Sequence, residues 1–388
     1  MDRDTSQTVA AAAFEHYIGL MSGTSLDGVD GVLCRIDPVG GWHDVLAHVH
    51  RPFDAALREA LLTLQQPGPD ELHRAALAGN ALARCYADVC TALRQQTALP
   101  RRAIRAIGAH GQTVRHQPGL HDGIGYTLQL NQPALLAELA GIDVIADFRS
   151  RDVAAGGQGA PLVPPFHAAV FGGAQPDGRR AVVNIGGISN LTLLPADGWV
   201  RGFDCGPGNA LLDHWCQRHL GHDFDADGAW AAGGHVDAVL LRQLQREPFF
   251  SATPPKSTGR DLFNPAWLEC QIAMLAPTTP IAPQDVQATL SELSAQAIAQ
   301  ELLRHAPETR ELIVCGGGAL NRDLMRRLQQ ALPDLVVRSS DALGLPVLQV
   351  EAAAFAWLAR MHCHHLPASA PSVTGAQRAR VLGACYPA

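Results

Sequence analysis

Backbone N–H groups gathered in a tight turn make a small anion-binding concavity. This 388-residue sequence has three glycine-rich runs that could serve so, each following an apolar stretch. The first is Ser22-Gly23-Thr24-Ser25-Leu26-Asp27-Gly28-Val29-Asp30. Thr24 and Ser25 add hydroxyl donors. Asp27 and Asp30 supply carboxylates that could hold Mg²⁺, directly or through water, because hard cations take oxygen ligands. A nucleotide phosphate suits that set. The run is not a Walker A loop, which needs a Gly-Lys-Ser/Thr end feeding a helix. Lys256-Ser257-Thr258 lacks the upstream glycines and is discounted for the same reason. A solvent-exposed hairpin turn accounts for the first run equally well, since Gly, Asp and Ser are common turn residues. The second run, from Asn184 through Gly186 and Gly187 to Asn190, could face the first across a cleft. The third, Gly316-Gly317-Gly318, lacks side chains, so an adenine or ribose could lie on the backbone.

A general base must reach the proton it removes. Asp204, in Arg201-Gly202-Phe203-Asp204-Cys205-Gly206-Pro207-Gly208-Asn209, is the candidate: a carboxylate at a sharp turn beside a helix start. A helix N-cap is the competing role for the same aspartate. Arg149, Arg151, Lys256 and Arg260 could pair an anionic substrate, Arg being suited to carboxylates. Ordinary surface charge is the simpler reading of those four. His110 ends a strand and reads as a hydrogen-bonded structural histidine. His362-Cys363-His364-His365 has metal-ligand residue types without the spacing of a closed zinc site. Cys205 sits beside Asp204, whose charge opposes thiolate formation.

The elements that must position these groups follow from periodicity and turn chemistry. Tyr17–Met21 and Gly31–Ile36 flank the first glycine run as a hairpin. Helices are expected over Ala55–Gln65 and Asp70–Gln96, the second with Leu72, Ala76, Leu82, Tyr86, Val89 and Leu93 near the helical period. Strands follow at Ala103–His110, Tyr126–Asn131 and Asp143–Ala146. A short helix runs from Pro133 to a stop at Gly141. Ala181–Thr192 repeats the strand, glycine turn, strand device, a hint of duplicated architecture. Helices then dominate over Pro207–Arg246. Thr289–His305, Asn321–Leu332 and Glu351–Met361 read as helices, and Glu311–Cys315 as a buried-type strand.

Composition bounds the rest. The length favours two domains. With 47% hydrophobic and 17% charged residues the chain can build a sizeable core. A formal charge of −7 argues against nucleic acid as a partner. Nine cysteines without a CxxC pair suit reduced thiols in the cytoplasm. No apolar run is long enough to span a membrane. The polar, then alanine-rich first sixteen residues read as a frayed tail.

The whole set of motifs resembles a known family. The Gly19–Asp30 hairpin is similar to the ATP-binding segment of anhydro-N-acetylmuramic acid kinases. Ala109–Thr113, Asp147–Pro161, Asn184–Gly187, Gly202–Asn209 and Cys315–Ala319 also match that family, in order, from Tyr17 to the C-terminus. The resemblance implies an α/β fold of two related actin-like (ribonuclease-H-like) domains with ATP between them. Their expected extents are 17–152 and 153–361, with 362–388 packing back on the first. It implies ATP and Mg²⁺, with nucleotide contacts from Gly23 to Asp30, from Asn184, Gly186 and Gly187, and from Gly316, Gly317, Gly318 and Asn321. Asp27 is then the metal ligand, Asp204 the catalytic base, and Arg151 and Glu351 sugar contacts. It implies hydrolysis of the internal bond of 1,6-anhydro-N-acetylmuramic acid and phosphorylation of O6, in peptidoglycan recycling. A homodimer is a family expectation. Two rivals remain: a kinase for another amino sugar such as N-acetylglucosamine, and an actin-like ATP switch without sugar chemistry.

Overall fold

The computed structural model describes residues 14–23, 26–37, 41–172, 179–195, 198–259, 261–275 and 280–388. Thr24, Ser25, Arg260 and most of the expected tail lie outside the described residues.

The chain opens with β1 (Glu15–Met21), β2 (Gly28–Ile36) and β3 (Trp42–Pro52). β1 starts two residues before Tyr17 because Glu15 and His16 pair with Ile36 and Arg35 across the hairpin. Helices α1 (Ala55–Thr63) and α2 (Glu71–Thr97) follow. Asp54 caps α1, its carboxylate accepting from the Leu57 N–H at 2.7 Å. α2 buries Leu82, Tyr86, Val89 and Leu93. Leu72 and Ala76, expected on that face, are exposed, because the helix starts beyond the edge of the core. Then come β4 (Ile104–Ala109), a hairpin of β5 (Gln112–Pro118) and β6 (Gly125–Leu130), α3 (Pro133–Ala140), β7 (Val144–Ala146) and the single turn α4 (Ser150–Val153). α3 ends at Gly141, as the sequence predicts.

The second half contains α5 (Pro164–Phe171), β8 (Arg180–Ile185), β9 (Ile188–Leu194), β10 (Arg201–Pro207) and α6 (Ala210–Leu220). Next are α7 (Ala229–Ala232), α8 (Ala238–Leu244), α9 (Pro265–Leu275) and α10 (Pro283–His305). β11 (Glu311–Cys315), α11 (Arg322–Ala331), β12 (Val336–Ser339), α12 (Val350–Cys363), α13 (Pro371–Thr374) and β13 (Ala384–Tyr386) complete the chain.

The two main sheets share one topology. The first has the order β13-β7-β4-β1-β2-β3, the second β10-β9-β8-β11-β12. In each, the opening strand pairs antiparallel with its hairpin partner and parallel with the strand that returns beside it. A third antiparallel strand flanks the hairpin, and a fifth lies parallel beyond the returning strand. The hint of duplication in the two glycine hairpins is therefore realised strand by strand.

α12 lies within 153–361 except for its last two residues, yet it rests on the first sheet. Added methyls at Gly19 in β1 and Gly108 in β4 would stand 1.9 Å from the Ala352 carbonyl and 2.0 Å from the Phe355 carbonyl. Only glycine allows so close an approach. The same helix packs with Val182, Ile313 and Cys315 of the second sheet, so one apolar core runs from sheet to sheet through α12. β13 extends the first sheet by pairing with β7. The histidines that end α12 serve this return. His362 bonds the Leu382 carbonyl and His364 bonds Glu15, each at 2.8 Å.

Candidate active site

The first glycine run joins β1 to β2, and buried polar contacts fix it from below. Ser22 donates to the Gly111 carbonyl at 3.0 Å and shares a 3.0 Å hydrogen bond with the Tyr86 hydroxyl. Gln112 donates to the Gly23 carbonyl. Leu26 and Val29 turn into the first core, so only their backbone can meet a ligand. Gly28 packs on the backbone of Arg51 and Pro52. Asp27 is exposed. Asp30 is differently placed: one carboxylate oxygen meets His48 at 2.9 Å and His50 at 3.1 Å, both on β3.

Next to this turn stands Arg149, which sequence reasoning set aside as surface charge. It is half-buried, donating to the Gly159 carbonyl and, through two nitrogens, to His110 Nε2 at 2.9 and 3.1 Å. His110 must be neutral to accept those bonds. Burial, with the charge of Arg149, pushes its pKa down to about 3. Burial also lowers Arg149 to about 10, against the pull of Glu351 and Asp152. Glu351, in the first turn of α12, is raised by burial, relieved by Arg149, and raised again by Asp30 and Asp27. Three carboxylates and one guanidinium thus share this region. Arg151 is exposed on α4. Burial first, then Arg378 and Arg151, hold the Arg380 guanidinium below its ordinary value, which places these three cations near one another.

The second and third glycine runs meet on the second sheet. Asn184 pairs with Cys315 in the β8–β11 register, so the Gly186-Gly187 and Gly316–Gly318 turns leave the same end of adjacent strands. Gly316 has φ +80°, and a methyl there would stand 2.3 Å from Asn184 Oδ1. β10 delivers a further segment to this point: the Gly208 and Asn209 N–H groups donate to the carbonyls of Gly187 and Gly186 at 2.9 and 2.8 Å. A methyl added at Gly186 or Gly317 would fit without a clash, its nearest atoms lying in ordinary contact at 3.7 and 3.5 Å. The backbone there is approachable, as a nucleotide requires. Asn321 has its Oδ1 engaged as the cap of α11, accepting from Leu324 N–H at 2.9 Å. The Gly316 N–H donates to the Val347 carbonyl just before α12, and the charge of Glu351 reaches Cys315. The start of α12 therefore stands between the first turn and the other two.

Asp204 lies inside β10 at a register shift between Asp204 and Gly206, not at the turn that the local pattern suggested. The pattern of Gly and Pro reads as a turn, but β9 supplies pairing partners that keep the segment extended. Nor does Asp204 cap α6, which begins after Asn209. Its carboxylate is held from 53 and 54 residues away. Ser257 Oγ and the Thr258 N–H donate to Oδ2 at 3.0 and 2.9 Å, while the Asp204 N–H donates to the Lys256 carbonyl at 3.1 Å. Burial raises its pKa above the ordinary value, and those two donors and Lys256 oppose the rise. Lys256-Ser257-Thr258, discounted as a phosphate loop, is thus the clamp on the candidate base. Nothing local in the sequence links the two segments. Among the described residues no three His, Cys, Asp or Glu side chains form a metal-holding group, and no helix is long and apolar enough to cross a membrane.

A duplicated sheet topology, with glycine turns at its strand ends and a half-buried aspartate on the strand that meets the second turn, is that of an actin-like α/β phosphotransferase. A solved reductive activator for a corrinoid, iron–sulfur protein shares this fold alone, at 13% identity over 95% of this chain and 64% of that one, with a TM-score of 0.50. The family model for anhydro-N-acetylmuramic acid kinase matches residues 15–388, and the chain belongs to that family. It is 60% identical to an anhydro-N-acetylmuramic acid kinase of Variovorax paradoxus, over 97% of this chain and all of that one. A relative of the same name from Cupriavidus pinatubonensis is 59% identical over 96% of this chain and 98% of its own.

Proposed function

We propose that this chain hydrolyses the internal bond of 1,6-anhydro-N-acetylmuramic acid and transfers the γ-phosphoryl group of ATP to O6. The products are N-acetylmuramic acid 6-phosphate and ADP, in peptidoglycan recycling in the cytoplasm. The observation that carries the chemistry is the clamped aspartate beside the glycine cradle. Both clamp bonds fall on Asp204 Oδ2, which leaves Oδ1 to take a proton from water. The water oxygen bonds to C1 as the C1–O6 bond breaks. O6 takes the phosphoryl group with that electron pair, and ADP departs with the electrons of the broken P–O bond. A kinase for a free sugar would instead have to deprotonate O6. The family match over residues 15–388 gives no support to an N-acetylglucosamine kinase or to an ATP switch.

The turns at Gly186-Gly187 and Gly316–Gly318 cradle the nucleotide on their open backbone, and the Gly23–Asp30 turn meets its phosphates from the other side. Burial and the charges of Asp30 and Asp27 raise the cost of ionising Glu351, which a cation at the first turn would relieve. Mg²⁺ bound there would neutralise charge on the transferring group. Asp27 is the residue to hold it, together with phosphate oxygens and water, since Mg²⁺ commonly takes only one or two protein carboxylates. Asp30 is occupied by its histidines. Glu351 and Arg149 line the sugar side, and Arg151 offers charge to the acid group of the substrate. The two units, 17–152 and 153–361, would close around ATP and sugar to control water. A homodimer would be read by sedimentation.

The test is mass spectrometry of the product formed from ATP, Mg²⁺ and the anhydro sugar in isotope-labelled water. Phosphorylated N-acetylmuramic acid labelled at C1, and lost in Asp204→Asn, is the expected result. Phosphorylation without label at C1 would mean an ordinary sugar kinase, and ATP hydrolysis without a sugar product would mean an ATP switch.

A further inference from the structure

Behind Asp204 lies a charged cluster that the reaction does not use. Lys256 and Glu301 are 4% and 3% exposed at their side chains and stand 3.2 Å apart. Glu301 projects from α10, where Arg304 meets the same carboxylate oxygen at 3.1 Å and His305 lies 3.4 Å from the other. The Lys256 ammonium also donates to the Phe249 carbonyl at 3.1 Å and sits 4.6 Å from the centre of that ring. α10 grips β10 as well. His305 packs edge-on against Phe203, and Arg201 donates to the His305 carbonyl at 3.1 Å.

A buried ion pair is weak support for stability, because desolvation offsets the attraction, and an apolar pair of similar volume often does as well. Its better-attested use is to fix one arrangement among several. The segment from Ala252 to Gly259 has no helix or strand of its own. It nonetheless makes three hydrogen bonds with Asp204: Ser257 and Thr258 donate to its carboxylate, and the Lys256 carbonyl accepts from its N–H. The side chain of Lys256 points away from the site to Glu301 while its carbonyl faces the Asp204 N–H. We propose that the Lys256–Glu301 pair positions the catalytic base: it locks the 256–258 segment to α10 so that Ser257 and Thr258 hold Asp204 in its working orientation. Both are positioning residues, acting through Asp204 without touching substrate.

The inference rests on Asp204 being the base, and the experiment separates the two. Steady-state kinetics with ATP and the anhydro sugar would be measured across pH for wild type, Asp204→Asn, Lys256→Met, Lys256→Arg and the double variant Lys256→Met/Glu301→Leu. A displacement of about 1 Å in a catalytic group can cost about 100-fold in rate. Lys256→Met should therefore lose roughly 10- to 100-fold in kcat with an unchanged KM for ATP. The acid limb of its pH profile should move up, since the cation that favours ionised Asp204 is gone while Glu301, Arg304 and His305 remain. Lys256→Arg should recover part of the rate. The double variant replaces both charges by apolar groups, so it should keep the wild-type melting temperature and still show the kcat loss. A double variant that folds and turns over at the wild-type rate, with Asp204→Asn inactive, would overturn this inference alone. Full turnover by Asp204→Asn would overturn the base assignment and this inference with it.

Discussion

Asp204 accepts both clamp bonds on one oxygen in a half-buried site, and this sets how its activity should respond to pH. Burial raises its pKa, and a base works only when ionised. The acid limb of kcat/KM should accordingly lie above the range of a free aspartate. Ser257→Ala removes a donor that favours the charged form, so the limb should move to still higher pH in a pH–rate profile. A limb that stays put or moves down would assign the titration to another group. The cradle gives a second contrast at this scale. Gly186→Ala adds a methyl that meets only an ordinary contact at 3.7 Å, so the variant should melt like wild type but bind ATP more weakly by calorimetry. Gly316→Ala forces a side chain into a backbone conformation with φ +80° and ψ 176°, reserved for glycine at a cost of about 1–3 kcal/mol. Its melting temperature should fall. Equal behaviour of the two would mean the space before Gly186 is not where the nucleotide lies. The glycine turns and Asp204 were legible as residues because their chemistry is local. Arg149 and Lys256 were not, since a cation's burial and partners depend on segments far away in the chain.

Elements were legible where a local signal marks both ends. α3 between Pro133 and Gly141, and β11 ending at Gly316, lie where turn chemistry puts them. β3 was missed because its residues are only partly buried and lack clean alternation. β10 was read as a turn because its strand character comes from pairing with β9. Asn321 carries a nucleotide role by resemblance and a cap role by geometry, and the two are separable. If capping α11 is its work, Asn321→Ala should lose about 1 kcal/mol of stability in chemical denaturation. Asn321→Asp, another good cap, should keep both that stability and the KM for ATP. A raised KM in the Asp variant with unchanged stability would restore the nucleotide role.

At the scale of the whole molecule, the repeated hairpin announced two related units, but not that one helix would serve both cores. α12 reads as an apolar helix in any context, and its two neighbours come from strands far apart in sequence. The interior so formed also encloses histidines, and these tie the fold to pH. His110 and His167 are depressed to about 3 by burial, and His116, at the surface of β5 outside that interior, to about 4 by partial burial and the charge of Arg149. An unfolded chain protonates histidine below about pH 6.5, whereas the folded chain leaves these three neutral. The unfolded state therefore binds more protons as pH falls, and stability falls with it. The contribution is complete above about 6.5 and is lost progressively through the folded values near 4 and 3. Asp204 and Glu351, raised by burial, act in the opposite sense at the acid end of that window, so the slope must be assigned by substitution. His167 suits this, being buried on α5 and outside the proposed nucleotide and sugar contacts, with Nδ1 bonded to the Thr192 hydroxyl at 2.9 Å. Thermal melts between pH 7.5 and 5 should show a falling midpoint in wild type. His167→Leu, whatever its absolute stability, should show a shallower fall, because one of the three protonations no longer separates the folded from the unfolded chain. An identical slope in both proteins would remove His167 from the groups that set the acid limit of this fold.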